Sequence, residues 1–209
     1  MPSENQMRDA ERSLSGQPAS SLGRAMDGAV HVCPLSALPD VVVRHQASHL
    51  LTCLQDAVLV ETPGPVQPDR HLRLHIHDIS EPQPGYIAPD AEHVGRLIDF
   101  ALDWGGRGPM VVHCWAGISR STAAAYAALC AINPGVDEEL IALRLREASP
   151  TAYPNRLIIR LADAALGRRG RMVQAIDGIG RGVLAVEAVP FSLRADHSDE
   201  GPGMERRSD

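Results

Sequence analysis

The sequence contains few aromatic residues: two Trp, three Tyr and two Phe among its 209 residues. Its hydrophobic fraction is nevertheless 44%, so a sizeable core can form, filled mainly by Ala, Leu, Val and Ile. No apolar run approaches the roughly 18 residues that would cross a bilayer. Residues 1–21 lack the apolar core of a signal peptide. We therefore expect neither a membrane span nor a secretory leader.

Cysteine is also scarce, and the four cysteines lie far apart without any Cys-x-x-Cys spacing: Cys33, Cys53, Cys114 and Cys130. This spacing excludes a disulfide framework and a zinc ribbon, and it is typical of a protein of the reducing cytosol. Basic residues are outnumbered, with 20 Lys and Arg against 26 Asp and Glu, which gives a net charge of −6. This balance argues against nucleic acid or an anionic membrane as the main partner.

The chain is expected to form one catalytic domain, residues 28–195, with a polar segment at each end. Residues 1–27 lack hydrophobic periodicity and are expected to be disordered, and residues 196–209 are expected to form a flexible tail. Strands early in the chain and helices late in it predict an α/β domain. We expect a mostly parallel central sheet with helices on both faces.

The individual elements follow from periodicity and capping residues. Strands are predicted at 29–33, 48–54, 72–76 and 110–112. Helices are predicted at 36–45, 89–104, 122–132, 138–148 and 154–167. Ser36 is expected to cap the first helix and Asp137 the fourth. Residues 180–193 show no clear pattern and are interpreted as a packing arm.

The most informative stretch follows the fourth strand, which ends at His113 and Cys114. Arg120 and Ser121 come after five further residues and begin an Ala-rich helix. A strand–loop–helix of this kind directs backbone N–H groups inward at the positive end of the helix dipole. A cysteine held there is pushed toward thiolate. The loop therefore offers a nucleophile, an anion cradle and a planar guanidinium, which together suit a phosphate monoester.

This stretch, with Gly117 in the middle of the loop, resembles the signature of the cysteine-dependent protein tyrosine phosphatase superfamily, in its compact dual-specificity-like (bacterial) branch. The resemblance implies hydrolysis of phosphate monoesters through a phosphocysteine intermediate, without a metal or other cofactor. Cys114 would be the nucleophile, Arg120 would bind two phosphate oxygens, and Ser121 would hydrogen-bond the sulfur. His113 would orient the loop. The backbone N–H groups expected to bind phosphate belong to Trp115, Ala116, Gly117, Ile118, Ser119 and Arg120.

Asp78 is the predicted general acid. It follows the strand 72–76, opens a loop rich in Pro and Gly, and precedes Cys114 by a stretch that includes one helix. The resemblance supports this placement, although Asp78 could instead cap a turn. Three other carboxylates are rivals for the role: Asp56, Asp90 and Glu81.

Several further residues carry two interpretations. Asn155 resembles an Asn that braces the phosphate-binding loop in related phosphatases, but it could simply cap a helix. His71, His75 and His77 are interpreted as a satisfied or solvated strand face rather than a metal site, since no ligand set completes them. The basic run 168–171 is interpreted as a solvated helix end.

Two other classes of protein remain possible. A rhodanese-type sulfurtransferase also cradles a cysteine before a helix, and a phosphate-binding module could retain the loop without turnover. Among phosphatases, residues 115–119 contain no Lys or Arg, which favours a phosphorylated protein or a small aryl phosphate over an inositide. Trp115 lies at a variable position of the loop and could line the pocket rim. The oligomeric state cannot be predicted.

Overall fold

The computed structural model of the protein describes residues 28–55 and 60–197. Three predictions therefore lie outside the described residues: the disorder of residues 1–27, the tail beyond residue 197, and Asp56 as a rival acid. Within the described part of the chain, no helix is both long enough and apolar enough to span a membrane.

Five strands form one sheet in the order β3-β2-β4-β1-β5. Strands β1 to β5 comprise Ala29–Pro34, His49–Leu54, His71–His75, Pro109–Cys114 and Phe191–Arg194. The first four strands are parallel, and β5 pairs antiparallel with the edge of β1. The predicted mostly parallel sheet is confirmed.

Helices cover both faces of this sheet. Helices α1 to α6 comprise Leu38–His45, Ala91–Trp104, Arg120–Ile132, Glu138–Ala148, Arg156–Ala165 and Arg171–Gly178. Successive residues of β4 face opposite layers, as the period of a strand requires: Val111 packs with the α1 side chains, and Val112 packs into the larger core beneath α2 to α6. The prediction of a sheet flanked on both faces is confirmed.

Helix α3 is the element that fixes the site in space. It contacts β1, β2 and β4 on one side and α2, α4 and α5 on the other. Its residues from Arg120 to Ala131 are all buried, and six of them are alanines, at positions 123–125, 127, 128 and 131. Small side chains allow neighbouring elements to approach the helix axis closely. The N-terminus of α3 is thereby held against the C-terminal end of β4.

The predicted cap of α1 is wrong. Residues Leu35–Ala37 form a separate 3-10 turn, so that Ala37 rather than Ser36 occupies the N-cap. The Ser36 hydroxyl instead donates to Glu187, at 2.9 Å. The Asp137 cap of α4 is confirmed, because its carboxylate accepts from the amide of Glu139 at 2.9 Å.

The interpretation of residues 168–171 as a solvated helix end is wrong for Arg168. Its side chain is buried, donates to the carbonyls of Cys130 and Pro134, and lies 3.0 Å from the buried carboxylate of Glu138. A buried carboxylate requires such a partner. Helix α6 begins at Arg171 in this run and was not predicted, and the segment 180–193 ends in strand β5.

Candidate active site

The loop between β4 and α3, residues 115–119, joins Cys114 at the end of the strand to Arg120 at the start of the helix. Gly117 has a φ of +72°, a conformation that side chains disfavour. A Cβ at this position would lie only 2.8 Å from the backbone nitrogen of Pro34. Only glycine therefore allows the β4–α3 loop to turn this closely beneath the end of β1.

The carbonyl groups of the β4–α3 loop point outward and are bonded to neighbouring segments. The donors are the amides of Leu35, Ala188, Tyr153 and Asn155, which bond to the carbonyls of Trp115, Ala116, Ile118 and Ser119 at 3.1, 2.9, 2.9 and 3.2 Å. Carbonyl and amide lie on opposite sides of a trans peptide, so the loop amides face inward. No group within residues 28–55 and 60–197 accepts a hydrogen bond from the amides of residues 115–120. A concave set of free donors at a helix N-terminus is suited to an oxyanion.

Cys114 lies at the base of this cradle and is buried. Its sulfur is 3.1 Å from the hydroxyl oxygen of Ser121. The other three thiols are buried in the core, where burial raises the pKa of Cys33 and Cys130 to about 12 and also raises that of Cys53. Those three cysteines are therefore poor nucleophiles.

Arg120 is buried at the first residue of α3, where the β4–α3 loop ends. Its Nη1 donates to the carbonyl of Ile76 at 2.9 Å, which ties the guanidinium to the end of β3. Its Nε lies 3.8 Å from Oδ2 of Asp78. The structure thus brings Arg120 and Asp78 together although 42 positions separate them in the sequence.

Asp78 is held by only one of its two carboxylate oxygens. Its Oδ1 accepts from the Ser119 hydroxyl at 2.7 Å and from the Asn155 side-chain amide at 2.9 Å. Its Oδ2 has no hydrogen bond among the described residues, and the side chain is 37% exposed. This oxygen is available to carry a proton toward a ligand in the loop.

The side chain of Asn155 caps a helix, as one of its two interpretations predicted, and also contacts the loop that carries Asp78. Its Oδ1 caps α5 by accepting from the amides of Leu157 and Ile158, at 3.1 and 3.2 Å. Its Nδ2 donates to Asp78 and, at 3.3 Å, to the carbonyl of Ile79. The amide–carboxylate contact places the start of α5 against the loop that carries Asp78.

The rival carboxylates differ in their surroundings. Asp90 caps α2 by accepting from the amide of His93 at 2.9 Å, and the same oxygen lies 2.7 Å from the ring of His93. Glu81 is exposed, three residues beyond Asp78 in the same loop.

Behind the β4–α3 loop, a buried polar network was missed by the sequence analysis. The hydroxyl oxygen of Thr52 is 2.7 Å from Nε2 of His113 and 2.8 Å from Nε2 of His71. The Nδ1 of His71 is 2.9 Å from the Thr62 hydroxyl, which also accepts from Arg73 at 2.9 Å. The available signal was Thr52 itself, the one polar side chain between residues 50 and 54 of a buried strand.

Burial lowers the pKa of both His71 and His113 to about 4, so both imidazoles are neutral near pH 7. For His113 the backbone of Cys114 partly offsets this effect, while the charge of Arg120 adds to it. The hydrogen bonds are mutually consistent when Thr62 donates to His71, His71 donates to Thr52, and Thr52 donates to His113. The Nδ1 of His113 then carries the proton and has no hydrogen-bond partner among the described residues. Within the described residues, no three His, Cys, Asp or Glu side chains are grouped to hold a metal.

His71, in β3, and His77, just after it, therefore have separate roles. His71 belongs to the buried network, and the Nδ1 of His77 accepts from the amide of Ile87 at 2.9 Å. The ring of His77 also meets Tyr86 edge-on, at 5.0 Å between centroids. These contacts agree with a satisfied strand face. Trp115, by contrast, is 55% exposed beside the cradle, as expected for a rim residue.

No protein-family model matches the sequence, and no curated protein matches it. Solved structures do resemble its fold. PTPMT1 in complex with PI(5)P aligns over 70% of this chain and 97% of its own, with a TM-score of 0.51 and 16% identity. A mouse protein described as a dual specificity phosphatase, complexed with zinc tungstate, aligns over 77% and 98%, with a TM-score of 0.50 and 17% identity.

A third similar structure is the human tyrosine phosphatase-like serine/threonine/tyrosine-interacting protein. It aligns over 67% of this chain and 92% of its own, with a TM-score of 0.50 and 19% identity. Likeness at such identities concerns the fold alone. The chain has the fold of these phosphatase and phosphatase-like structures.

Proposed function

We propose that the protein is a phosphate monoester hydrolase of the compact dual-specificity-like type, which forms a phosphocysteine intermediate. One observation carries this proposal: the buried thiol of Cys114 lies at the base of a loop whose inward amides have no acceptor among the described residues. Such a loop binds an anion above the sulfur. The described geometry also supplies Arg120 and Asp78 at the mouth of the same loop.

In the first step, the Cys114 thiolate attacks phosphorus in line with the leaving group. The S–P bond forms, the P–O bond to the leaving group breaks, and Asp78 gives its proton to the departing oxygen. Arg120 binds two phosphoryl oxygens as a fork, which requires it to turn toward the loop. The inward amides of residues 115–120 donate hydrogen bonds to the phosphoryl oxygens, which carry the negative charge of the transition state.

In the second step, water attacks the phosphocysteine and Asp78 accepts its proton. The S–P bond breaks, inorganic phosphate leaves, and the thiolate is restored. Ser121 lies 3.1 Å from the sulfur and donates to it as the negative charge returns. His113 is neutral near pH 7 and acts by holding the loop rather than by moving protons.

The substrate class follows from the charge of the site. Residues 115–119 contain neither Lys nor Arg, so the loop has no cationic side chain that would bind a second phosphate. We infer that the substrate is phosphotyrosine, another phosphorylated side chain of a protein, or a small aryl phosphate. A thiolate enzyme of this kind needs a reducing compartment, and we place the protein in the cytoplasm on the same ground.

The decisive experiment measures hydrolysis of para-nitrophenyl phosphate with and without a chelator. We expect metal-independent turnover that is lost in Cys114→Ser, while the variant still binds phosphate. A Cys114→Ser variant that keeps a large share of the wild-type rate would show that the cysteine is not the nucleophile. Cys33→Ser is the matched control, because Cys33 is buried on the α1 side of the sheet and should leave kcat near the wild-type value.

Two other functions are separated by the same preparation. A rhodanese-type sulfurtransferase would transfer sulfur from thiosulfate to cyanide, which we do not expect here. A phosphate-binding module would bind phosphate with wild-type Cys114 yet hydrolyse nothing. The complete set of Cys114, Arg120 and Asp78 at one mouth favours turnover over binding alone.

A further inference from the structure

The segment between α6 and β5, residues 180–190, borders the β4–α3 loop, and we call it the arm. Near its C-terminal end, the amide of Ala188 donates to the loop carbonyl of Ala116 at 2.9 Å. Near its start, the amide of Val183 donates to the carbonyl of Pro150 at 2.8 Å. The arm is therefore attached to the candidate site at one end and to the segment that precedes α5 at the other.

That second attachment is itself bonded to the site. The amide of Tyr153 donates to the loop carbonyl of Ile118 at 2.9 Å. Gly182 packs so closely that a Cβ would lie 2.6 Å from the carbonyl oxygen of Ala152. One end of the arm thus contacts the β4–α3 loop directly, and the other contacts the segment that leads into Tyr153, which does.

One guanidinium fixes the arm to the segment before α5. Arg146 donates to five backbone carbonyls at 2.8–3.3 Å: Ser149, Pro150, Ala152, Ile179 and Gly180. Its planar fork can satisfy several acceptors in a fixed geometry. The arm has no regular secondary structure between residues 181 and 190, yet its backbone is held in place.

The side chains of the arm are apolar and face solvent. Leu184 is 98% exposed and Val186 is 92% exposed, and Val183 and Val189 are also exposed. Single exposed apolar residues are ordinary on protein surfaces, but four within seven positions beside a candidate active site form a patch. Such a patch indicates a surface that binds something.

The chemistry of the arm restricts what it binds. Its two charged side chains are engaged, because Arg181 lies 5.6 Å above the Tyr153 ring and Glu187 accepts from Ser36. Residues 182–186 between them carry no charge. An occupant without charge next to its phosphate therefore fits better than an acidic one.

The backbone of the arm favours a polypeptide over a lipid chain. The amides and carbonyls of residues 184–187 have no hydrogen-bond partner among the described residues. A peptide lying along the arm can pair with these groups while its side chains meet the valines and the leucine. An acyl chain offers neither donors nor acceptors.

We propose that the arm binds the apolar, uncharged residues that flank the phosphorylated residue of a polypeptide substrate. This inference rests on the proposed function of the site. The arm then selects among phosphoproteins, and the β4–α3 loop performs the chemistry. Because only flanking residues reach the arm, their loss should raise KM and leave kcat unchanged.

The test compares the double variant Leu184→Ser with Val186→Ser against the wild type on four substrates. These are para-nitrophenyl phosphate, a phosphotyrosyl peptide with apolar flanks, an equally long peptide with acidic flanks, and phosphatidate in phosphatidylcholine vesicles. Both substituted side chains are almost fully exposed, so the fold should be unaffected. The matched control is Val43→Ser with Leu102→Ser, which replaces two exposed apolar residues on α1 and α2.

We expect KM for the apolar peptide to rise about tenfold in the arm variant, as for the loss of one large apolar contact. Turnover of para-nitrophenyl phosphate, which has no flanking residues, should change less than about twofold. The proposal is overturned by any of three results in the arm variant. These are an equal rise in KM for both peptides, an equal fall in kcat/KM for all four substrates, and no change for any of them. A loss confined to the vesicles would assign the arm to a lipid instead. If the wild type fails to hydrolyse para-nitrophenyl phosphate, the proposed function falls first and the arm proposal with it.

Discussion

The two sides of the β4–α3 loop are both polar, but they are built differently. On the open side, Ser119 and Asn155 share one oxygen of a partly exposed carboxylate, Asp78. On the buried side, Thr52 links two neutral imidazoles, His71 and His113. The open side therefore has free hydrogen-bonding groups that a ligand can reach. On the buried side the hydroxyl and the imidazoles bond to one another, and the Nδ1 of His113 is left without a partner among the described residues.

This difference assigns the two sides different tasks. A free carboxylate oxygen and free loop amides can meet a ligand, and their contribution appears in rates. A buried network that lies behind the loop and bonds mainly within itself cannot meet a ligand, and its contribution appears in stability. Changes on the open side should alter kinetics at nearly constant stability, and changes on the buried side should do the reverse.

The largest expected effect is that of Arg120→Lys, at the boundary between the two sides. Lysine keeps the charge but loses the planar fork, so kcat/KM on para-nitrophenyl phosphate should fall by about 10³-fold or more. Steady-state kinetics and urea unfolding measure the two consequences separately. Arg160→Lys is the control, since Arg160 is exposed and, within the part of the chain that the structure describes, donates to the carbonyl of Ser80 alone. Near-normal kinetics in Arg120→Lys would move the phosphate site elsewhere.

The next effect is that of Asp78→Asn, which removes the proposed general acid and keeps its size. On aryl phosphates with poor leaving groups, kcat should fall by about 10² to 10³-fold. The loss should be much smaller when the leaving phenol is itself acidic, because its phenolate departs without a proton. The basic limb of the pH–rate profile should also disappear.

Glu81→Gln serves as the matched control for Asp78, three residues away in the same loop. It should keep both the basic limb and the wild-type dependence on the leaving group. If the Glu81 variant shows these losses and the Asp78 variant does not, the acid is Glu81. The division between the open and buried sides would survive that outcome.

The open side could be predicted from the sequence because its parts are local or follow strand ends. Cys114 to Ser121 is one contiguous stretch. Asp78 follows a strand that the alternation of apolar and polar residues predicts. Asn155 carried its own helix-cap signal. The parallel sheet then brings the ends of β3 and β4 to one edge, where these residues meet.

The buried side could not be predicted, because its contacts join residues 19 and 61 positions apart without any local signal. Thr52 gave the one hint, a hydroxyl in an apolar strand. Residues 180–193 were interpreted as a packing arm, but the place where the arm lies could not be predicted. Its position depends on Arg146, whose hydrogen-bond acceptors are backbone carbonyls that no side-chain pattern reveals. The cap at Ser36 was wrongly predicted because a 3-10 turn as short as Leu35–Ala37 has no hydrophobic periodicity that would distinguish it from the start of α1.

A smaller and broader effect concerns pH. Burial lowers the pKa of His31, His71 and His113 from an ordinary 6.5 to about 4 in the folded protein, with His45 adding to the shift at His31. Between pH 6.5 and about 4, these histidines are protonated in the unfolded chain but neutral in the folded protein. The free energy of unfolding should therefore fall as pH drops from 6.5 toward 4, by up to about 1.4 kcal/mol per pH unit for each histidine.

Urea unfolding between pH 7 and about 5.5 measures this slope above the range in which carboxylates protonate. His71→Asn, which removes one of the three imidazoles, should show a slope smaller by one histidine. A stability that is flat over this interval would mean that the three imidazoles are charged in the folded protein. The buried side would then be an ionic network rather than a neutral one.

The smallest expected effect on catalysis, and the sharpest test of the comparison, is that of Thr52→Val. Valine has the shape of threonine but no hydroxyl, so both His71 and His113 lose their partner at Nε2. The free energy of unfolding should fall by about 1–3 kcal/mol, because the variant leaves buried polar groups without a hydrogen-bond partner. Turnover of para-nitrophenyl phosphate should remain within about threefold, because no group on the open side has changed. Thr52→Ser restores the hydroxyl and should recover most of the stability. A Thr52→Val variant with wild-type stability and a rate lowered a hundredfold would show instead that the buried network takes part in the chemistry through His113.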